Sequence, residues 1–150
     1  MENRVEIPLA EGERYVLEGE VEHGKRLGHS LGFPTANQQL PKSGRVPRGG
    51  IYASTVEIDG AEYIAVSNVG TRPTVDGEGV NCETHVIDYT GDLYGKRIRV
   101  VLRAYLREEI RFSSVEALGE CISRDVECAR AYFNKTQLIK GNTGKCKKNG

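Results

Sequence analysis

Residues 51–69 read IYASTVEIDGAEYIAVSNV and predict a β-hairpin. Both halves of this stretch are rich in β-branched and aromatic residues, which favour extended strands. The halves meet at Asp59-Gly60, a dipeptide suited to the two left-handed positions of a type I′ turn. An antiparallel sheet is therefore expected at the centre of the fold.

Three other segments carry the pattern of strands. Tyr15 to His23 alternates apolar residues with glutamates, which predicts a strand with one face in solvent. Val80 to Tyr89 and Arg97 to Arg107 are predicted strands as well. In the last of these, arginines alternate with the residues expected to face the core, which are Ile98, Val100, Leu102, Ala104 and Leu106. Five or six strands ahead of any helix indicate an antiparallel barrel or sandwich.

A helix is predicted near the end of the chain. Ser113-x-x-Glu116 has the form of a capping box, which marks a helix start. Apolar residues then follow at helical spacings of three and four, at Val115, Leu118, Ile122, Val126, Ala129 and Phe133. The helix is expected to cover one side or end of the sheet.

Length and charge limit the class of protein. The chain has 150 residues, enough for one domain with its own core. Its 21 basic and 21 acidic side chains cancel, which argues against a nucleic-acid or anionic-membrane partner. Residues 135–150 hold five lysines and no acid. We expect a lead-in over residues 1–13, a domain over 14–134 and a basic, disordered tail over 135–150, with a phosphate-attracting arm as the alternative for the tail.

Neither the hydropathy nor the cysteines suggest export or membrane insertion. No stretch approaches the ~20 apolar residues that a membrane span needs, and the acidic N-terminus is unlike a signal peptide. The four cysteines form no CxxC pair; they are Cys82, Cys121, Cys128 and Cys146. Free thiols in a reducing, cytoplasmic compartment are expected. We also expect the protein to be a monomer.

The segment HGKRLGHSLGFPTAN, residues 23–37, is the first candidate for a binding loop. Gly24, Gly28 and Gly32 recur every four residues, a spacing that fits neither the Walker pattern nor the dinucleotide fingerprint. Bare backbone would let N–H groups converge on anionic oxygens, and Lys25 and Arg26 would add positive charge. A phosphate cradle and an ordinary glycine-rich loop both remain open.

The end of that segment offers candidate metal ligands. Phe33-Pro34 favours an extended path, which places Thr35 and Asn37 on the same side of the chain. A hydroxyl and an amide oxygen are hard ligands suited to Mg²⁺, which completes its shell with water and phosphates. The alternative is a plain turn stabilised by Thr and Asn.

Six segments, taken together and in order, resemble the signature motifs of the riboflavin kinase family. They are Gly24–Asn37 ending in PTAN, Gly50–Ala53 (GIYA), Asn68–Thr74 (NVGTRPT), Cys82–Tyr89 (CETHVIDY), Asp92–Gly95 (DLYG) and Leu106–Glu109 (LREE) leading to Phe112. The resemblance covers residues 14–133. Six ordered motifs are far more specific than any one of them.

The resemblance implies a six-stranded antiparallel Greek-key barrel with a C-terminal α-helix. The implied activity is transfer of the γ-phosphate of ATP to the ribityl 5′-hydroxyl of riboflavin, which gives FMN and requires Mg²⁺. Thr35 and Asn37 would then hold Mg²⁺ and the nucleotide phosphates, and Glu83 would act as the base toward the 5′-hydroxyl. Phosphoryl transfer asks mainly for positioning and charge neutralisation, so these residue types suit it.

The same resemblance suggests the remaining contacts. Residues expected to bind the nucleotide, besides Thr35 and Asn37, are Gly24, Lys25, Gly28, Gly32 and Tyr94. Residues expected to bind the flavin are Arg72, Arg107 and Phe112, because an arginine and an aromatic ring suit a planar ring system. Core packing is the alternative for Phe112, and a structural hydrogen-bonding role is favoured for His85.

The chain departs from the family pattern at a few positions. His29 stands where arginine is usual, Cys82 where valine is common, and Gln38 and Gln39 where apolar residues often follow the asparagine. A non-catalytic flavin- or nucleotide-binding barrel, as a sensor or storage module, is the competing hypothesis. Nothing in the chain resembles an adenylyltransferase domain, so we expect the reaction to stop at FMN, whether the chain is a stand-alone enzyme or a C-terminal module.

Overall fold

A computed structural model describes residues 4–7, 14–22, 34–40, 44–74, 77–109 and 114–136. Within these ranges the chain forms eight strands and one helix. The strands are β1 (Arg4–Ile7), β2 (Tyr15–Glu20), β3 (Thr35–Gln39), β4 (Gly44–Pro47), β5 (Gly50–Ile58), β6 (Ala61–Thr74), β7 (Gly77–Val86) and β8 (Arg97–Arg107). The helix, α1, spans Val115–Thr136.

Six strands form one antiparallel sheet in the order β2-β8-β5-β6-β7-β3. The last strand, β8, lies between β2 and β5, which is a Greek-key order rather than a simple meander. The sheet curls until its edges meet, because the N–H of Glu22, just after β2, donates to the carbonyl oxygen of Asn37 in β3 (2.7 Å). The Nε2 of Gln38 also donates to the carbonyl oxygen of Gly19 (3.2 Å). The predicted six-stranded barrel with a C-terminal helix is confirmed.

The predicted hairpin is confirmed as β5 and β6. Asp59 and Gly60 have φ angles of 52° and 86°, the two left-handed positions that a type I′ turn requires. Ile58 pairs with Ala61, so the turn contains two residues. This hairpin occupies the middle of the sheet.

A second, smaller sheet pairs β1 with β4 in parallel. Strand β1 lies within the expected lead-in, so part of that segment has regular structure. The expected disordered tail lies outside the described residues apart from Lys135 and Thr136, which belong to α1.

The barrel encloses one hydrophobic core, and α1 covers a second on the outer face of the sheet. The interior core includes Val21, Tyr52, Val69, Leu93 and Leu102. The outer core joins residues of the sheet to the apolar stripe of α1 and includes Ile51, Ala53, Val66, Ile122, Val126 and Phe133. The helix is thus held beside the polar part of the same outer face.

The expectation that Ala104 and Leu106 share a face with Leu102 is wrong. They pack against the outer core beside α1, while Tyr105 packs inside the barrel. The pairing between β5 and β8 shifts register twice, once around Arg103 and once around Leu106, each time with one extra residue in β8. Each such β-bulge reverses which face the following residues occupy.

Two predicted boundaries move. Helix α1 starts at Val115, and the Oγ of Ser114 accepts a hydrogen bond from the N–H of Ala117 (3.1 Å). Ser114 is therefore the N-cap, one residue after the expected Ser113, which lies outside the described residues. Strand β7 ends at Val86 instead of Tyr89, because a turn follows in which Asp88 has a φ of 62°.

Among the described residues there is no helix with the length and apolar character that crossing a membrane would demand.

Candidate active site

Polar side chains cluster on the outer face where β3, β7 and β6 lie side by side. The middle row across these strands is Asn37, Glu83 and Asn68, each directly opposite the next. A parallel row consists of Thr35, His85 and Val66. Residues paired in this way have neighbouring side chains on one face, so Glu83 lies at the centre of the cluster.

Glu83 is almost fully buried, with 9% of its surface exposed. Asn37 on one side and Asn68 on the other are both amides, so neither neighbour adds a second negative charge. A carboxylate in this setting can accept a proton or hydrogen bond from a hydroxyl placed against the sheet. The geometry is compatible with a general base.

The two residues predicted to hold a metal are both oriented by neighbours on β7. The Oδ1 of Asn37 accepts a hydrogen bond from the Nδ2 of Asn81 (3.0 Å). The hydroxyl of Thr35 lies 3.4 Å from the Nδ1 of His85, within hydrogen-bond distance. His85 thus has the hydrogen-bonded role expected for it, and its bond is to a candidate ligand.

Burial lowers the pKa of His85, and the nearby carboxylates of Glu83 and Asp125 oppose that effect only in part. The neutral imidazole is therefore favoured at neutral pH. A neutral ring beside Thr35 leaves the cluster without a competing positive charge.

The donor set fits Mg²⁺. Thr35 and Asn37 project from the same face of β3, as predicted, and offer a hydroxyl and a carbonyl oxygen. The described ranges contain no group of three or more His, Cys, Asp or Glu that could hold a metal ion. Mg²⁺ needs few protein ligands when phosphates and water complete its shell, so a pair of hard oxygen donors is adequate.

Two features of this face were not predicted. The Oδ1 of Asn68 is buried and has no hydrogen-bond partner among the described residues. The carboxylate of Glu109 lies over Gly70, since a Cβ at that position would come within 2.8 Å of both carboxylate oxygens. Neither could be found from sequence, because each depends on contacts between distant segments.

Arg107, predicted to bind flavin, is held by α1. Its Nε and Nη2 donate to the two carboxylate oxygens of Asp125 at 2.9 and 2.7 Å, and its Nη1 donates to the carbonyl oxygen of Glu108 (2.9 Å). The hydrogen bond to Asp125 is the main reason that the pKa of Arg107 is raised. The guanidinium is fixed at the end of β8, where the chain turns toward the helix.

Asp125 was also missed by the sequence reading, although a signal was present. It follows Ile122 by three residues and precedes Ala129 by four, so it lies on the apolar stripe of α1. A carboxylate on a buried stripe requires a cationic partner. The strand arginines were the available candidates.

Tyr94, predicted to bind the nucleotide, lies in an exposed turn, with 52% of its surface accessible. Its N–H donates to the Oδ1 of Asp92 (3.1 Å). The turn is joined to the closure of the barrel, because the N–H of Gly95 donates to the carbonyl oxygen of Val21 (3.0 Å), next to the Glu22–Asn37 bridge. This places the turn on the side of the site where β3 begins.

The remaining predicted contacts involve residues or side chains outside the part of the chain that the structure describes. Arg72 belongs to β6 and pairs with Gly79, but its side chain lies outside the described part. The other predicted residues outside the described ranges are Gly24, Lys25, Gly28, Gly32 and Phe112.

The fold and site define a Greek-key barrel with a buried carboxylate flanked by amide and hydroxyl ligands on its outer face. The flavokinase family model, described as riboflavin kinase, matches residues 11–133. The chain belongs to the riboflavin kinase family.

The chain is similar to proteins with two kinds of description. A bifunctional riboflavin kinase/FMN adenylyltransferase of Pseudomonas fluorescens is 49% identical over 121 residues, covering 80% of this chain but only 39% of that protein. The structure is similar to a riboflavin kinase from Trypanosoma brucei, with a TM-score of 0.56, 25% identity and 83% of each chain covered. It is also similar to a Streptococcus pneumoniae protein described as a macrolide-efflux protein, with a TM-score of 0.69, 33% identity, and 79% of this chain and 39% of that one covered.

Proposed function

We propose that this chain is a riboflavin kinase that transfers the γ-phosphate of ATP to the ribityl 5′-hydroxyl of riboflavin and so forms FMN. The observation that carries the proposal is the row of Asn37, Glu83 and Asn68, with the buried Glu83 carboxylate at its centre. Family membership indicates which reaction the chain catalyses, and the row of Asn37, Glu83 and Asn68 contains residues able to perform it.

Glu83 is proposed as the base. Its carboxylate accepts the hydrogen bond of the 5′-hydroxyl, orients that oxygen toward the γ-phosphorus and takes the proton as the new bond forms. Burial against the sheet keeps water from competing for the carboxylate. The flanking amides add hydrogen-bonding capacity without charge repulsion.

Thr35 and Asn37 are proposed to hold Mg²⁺, with His85 and Asn81 orienting them. Bound there, Mg²⁺ would neutralise the charge of the nucleotide phosphates. The other proposed nucleotide contacts are Tyr94 and the residues Gly24, Lys25, Gly28 and Gly32 of the glycine-rich segment, which precedes β3 in the chain.

The flavin ring is proposed to bind near the end of β8. Arg107 is fixed there by Asp125, and Phe112 and Arg72 are the other proposed contacts. A guanidinium held in one orientation can lie against or hydrogen-bond a planar ring at a low entropic cost.

The proposal is limited to the kinase step. The Pseudomonas fluorescens relative combines this activity with FMN adenylyltransferase activity and is much longer, with 39% of its length covered. The proposed setting is cytoplasmic, with the chain acting as a monomer. The competing proposal, a non-catalytic barrel that binds flavin or nucleotide, differs in one observable, which is FMN formation.

The test measures FMN by chromatography after incubating the protein with riboflavin, ATP and Mg²⁺. Wild type should form FMN, and Glu83→Gln should lower kcat by about 100-fold or more, the usual contribution of a general base. Glu57→Gln is the matched control, since Glu57 is exposed near the far end of β5. Tight riboflavin binding by wild type without FMN would favour the non-catalytic barrel, and equal rates for Glu83→Gln and wild type would remove Glu83 from the role of base.

A further inference from the structure

The Oδ1 atom of Asn68 is an unusual feature of the outer face. It is buried, and it has no hydrogen-bond partner in the part of the chain that the structure describes. Buried polar atoms in folded proteins nearly always have partners, and leaving one without a partner reduces stability. An exception of this kind calls for an explanation.

The position of Asn68 supplies one. Asn68 lies on β6 directly opposite Glu83 on β7, and Ile51 of β5 is its neighbour on the other side. Side chains paired across strands have Cβ atoms about 5 Å apart. A carboxylate and an amide oxygen at that spacing can each accept a hydrogen bond from one of two adjacent hydroxyls of a polyol.

We propose that Asn68 is a substrate-binding residue whose Oδ1 accepts a hydrogen bond from the 4′-hydroxyl of the ribityl chain, next to the 5′-hydroxyl that Glu83 receives. This inference rests on the proposed function. The buried Oδ1 without a hydrogen bond makes the free protein less stable, because the partner of this atom is a hydroxyl of the substrate. Asn68 thereby fixes the terminal carbon of the ribityl chain against Glu83.

A structural role predicts the opposite behaviour on substitution. An asparagine that stabilises the sheet would destabilise the protein when replaced. An asparagine kept for the substrate should be replaceable by an apolar residue without loss of stability, because no protein hydrogen bond to its Oδ1 is lost. Asn68→Leu should therefore unfold at the wild-type temperature or above it, while binding riboflavin less tightly.

The decisive ligand is 4′-deoxyriboflavin, which keeps the 5′-hydroxyl and lacks its neighbour. Binding of each flavin, in the presence of ADP and Mg²⁺, is followed by flavin fluorescence for wild type, Asn68→Ala and Asn68→Leu. Wild type should bind riboflavin about tenfold more tightly than the deoxy analogue, the usual value of one hydrogen bond. Both Asn68 variants should bind the two flavins equally.

A matched control uses Asn134→Ala on α1, which makes the same substitution outside the site and removes a poor helix former. It should keep the tenfold preference. If either Asn68 variant keeps that preference, or if Asn68→Leu unfolds at a clearly lower temperature than wild type, the inference is wrong.

The proposed function can fail separately. It fails if wild type binds both flavins but makes no FMN from riboflavin and ATP, and the ratio of the two affinities still decides the role of Asn68. Wild type that binds the two flavins equally overturns the inference and leaves FMN formation as the test of the kinase.

Discussion

Replacing Asp125 with asparagine removes the charge that holds Arg107 while keeping almost the same shape. The side chain of Asp125 is 7% exposed and that of Arg107 is 24% exposed, so the pair is largely shielded from water. Both contacts are short, at 2.9 and 2.7 Å. The amide oxygen of the substituted asparagine can accept a hydrogen bond from one of the two N–H groups of Arg107. Its N–H₂ faces the other N–H group and cannot accept a hydrogen bond from it.

The expected cost follows from that geometry. Removing one partner of a buried ion pair typically costs about 3–5 kcal/mol, because the other charge is left buried and uncompensated. The partial exposure of Arg107 and the bond that the amide retains lower the figure here to about 2–3 kcal/mol. For a chain of this size that corresponds to a fall in Tm of roughly 5–10 °C.

Urea unfolding followed by circular dichroism measures this change. Asp88→Asn is the matched control, since Asp88 also forms an ion pair with an arginine of α1, at 3.4 Å to Arg130, but its side chain is 75% exposed. Exposed pairs contribute about 0–1 kcal/mol. Asp88 also has a φ of 62°, which asparagine tolerates well, so the control should be nearly neutral.

If Asp125→Asn and Asp88→Asn lower the free energy of unfolding by the same small amount, the Asp125–Arg107 pair does not stabilise the fold as a buried ion pair. The double variant Arg107→Met/Asp125→Leu separates stability from binding. Replacing both charges with apolar side chains should recover most of the lost stability. Riboflavin affinity should stay reduced in the double variant if Arg107 contacts the flavin.

Two further predictions concern the barrel itself. Gly50 has a φ of 144°, and a Cβ there would lie 2.5 Å from the ring of Tyr105 and 2.7 Å from the carbonyl oxygen of Arg107. Gly50→Ala should therefore lower the free energy of unfolding, measured in urea, by about 3 kcal/mol or more. The control is Gly60→Ala: Gly60 has a φ of 86° and nothing lies within 4 Å of the added Cβ, so the cost should be only about 1–2 kcal/mol. Equal losses of stability in the two variants would contradict a steric clash at Gly50. Burial raises the pKa of Cys82 from 9.0 to about 11, so at alkaline pH the folded protein keeps a proton that the unfolded chain releases. The free energy of unfolding should consequently fall as pH rises from 8 to 10, and it should fall by about 1 kcal/mol more in wild type than in Cys82→Val. Parallel pH profiles of unfolding free energy for the two proteins would show that the thiol does not titrate as described.

The parts of the fold that sequence predicted are those decided by local chemistry. Asp59-Gly60 can form its turn with no help from distant residues, so the central hairpin was predictable. Strand β3 was not predicted as a strand, because TANQQ is short and polar and is extended only through its pairing with β7. Its Phe33-Pro34 entry indicated an extended path and nothing more.

The same distinction applies to the site. Thr35 and Asn37 were recognised as candidate ligands from their residue types and spacing, and Glu83 was recognised from the family resemblance. Their adjacency depends on a register in which Asn37 faces Glu83 across 46 positions of chain, and no local pattern encodes that pairing. The contact between Asp125 and Arg107 joins distant segments, and the sequence indicated it only through a carboxylate on the apolar stripe of α1. The position of Asn68 opposite Glu83 depends on the pairing of β6 with β7.

The error at Ala104 and Leu106 has a physical cause. A period-2 pattern assumes an unbroken ladder, and two bulges break the ladder between β5 and β8. Tyr105 takes the interior position that the pattern assigned to its neighbours.

The two bulges of β8 also determine where this strand can change in length. Because each extra residue reverses the facing of the residues after it, the two reversals cancel, and Arg107 lies on the outer face as it would in a regular strand. Arg103 and Leu106 have no partner residue on β5, so deleting either one would remove a bulge and leave Arg107 paired with Ile51 on the outer face, beside Asp125. Deleting both would leave a regular ladder with the same pairs. Single-residue deletions should therefore be tolerated better at these two positions than elsewhere in β8.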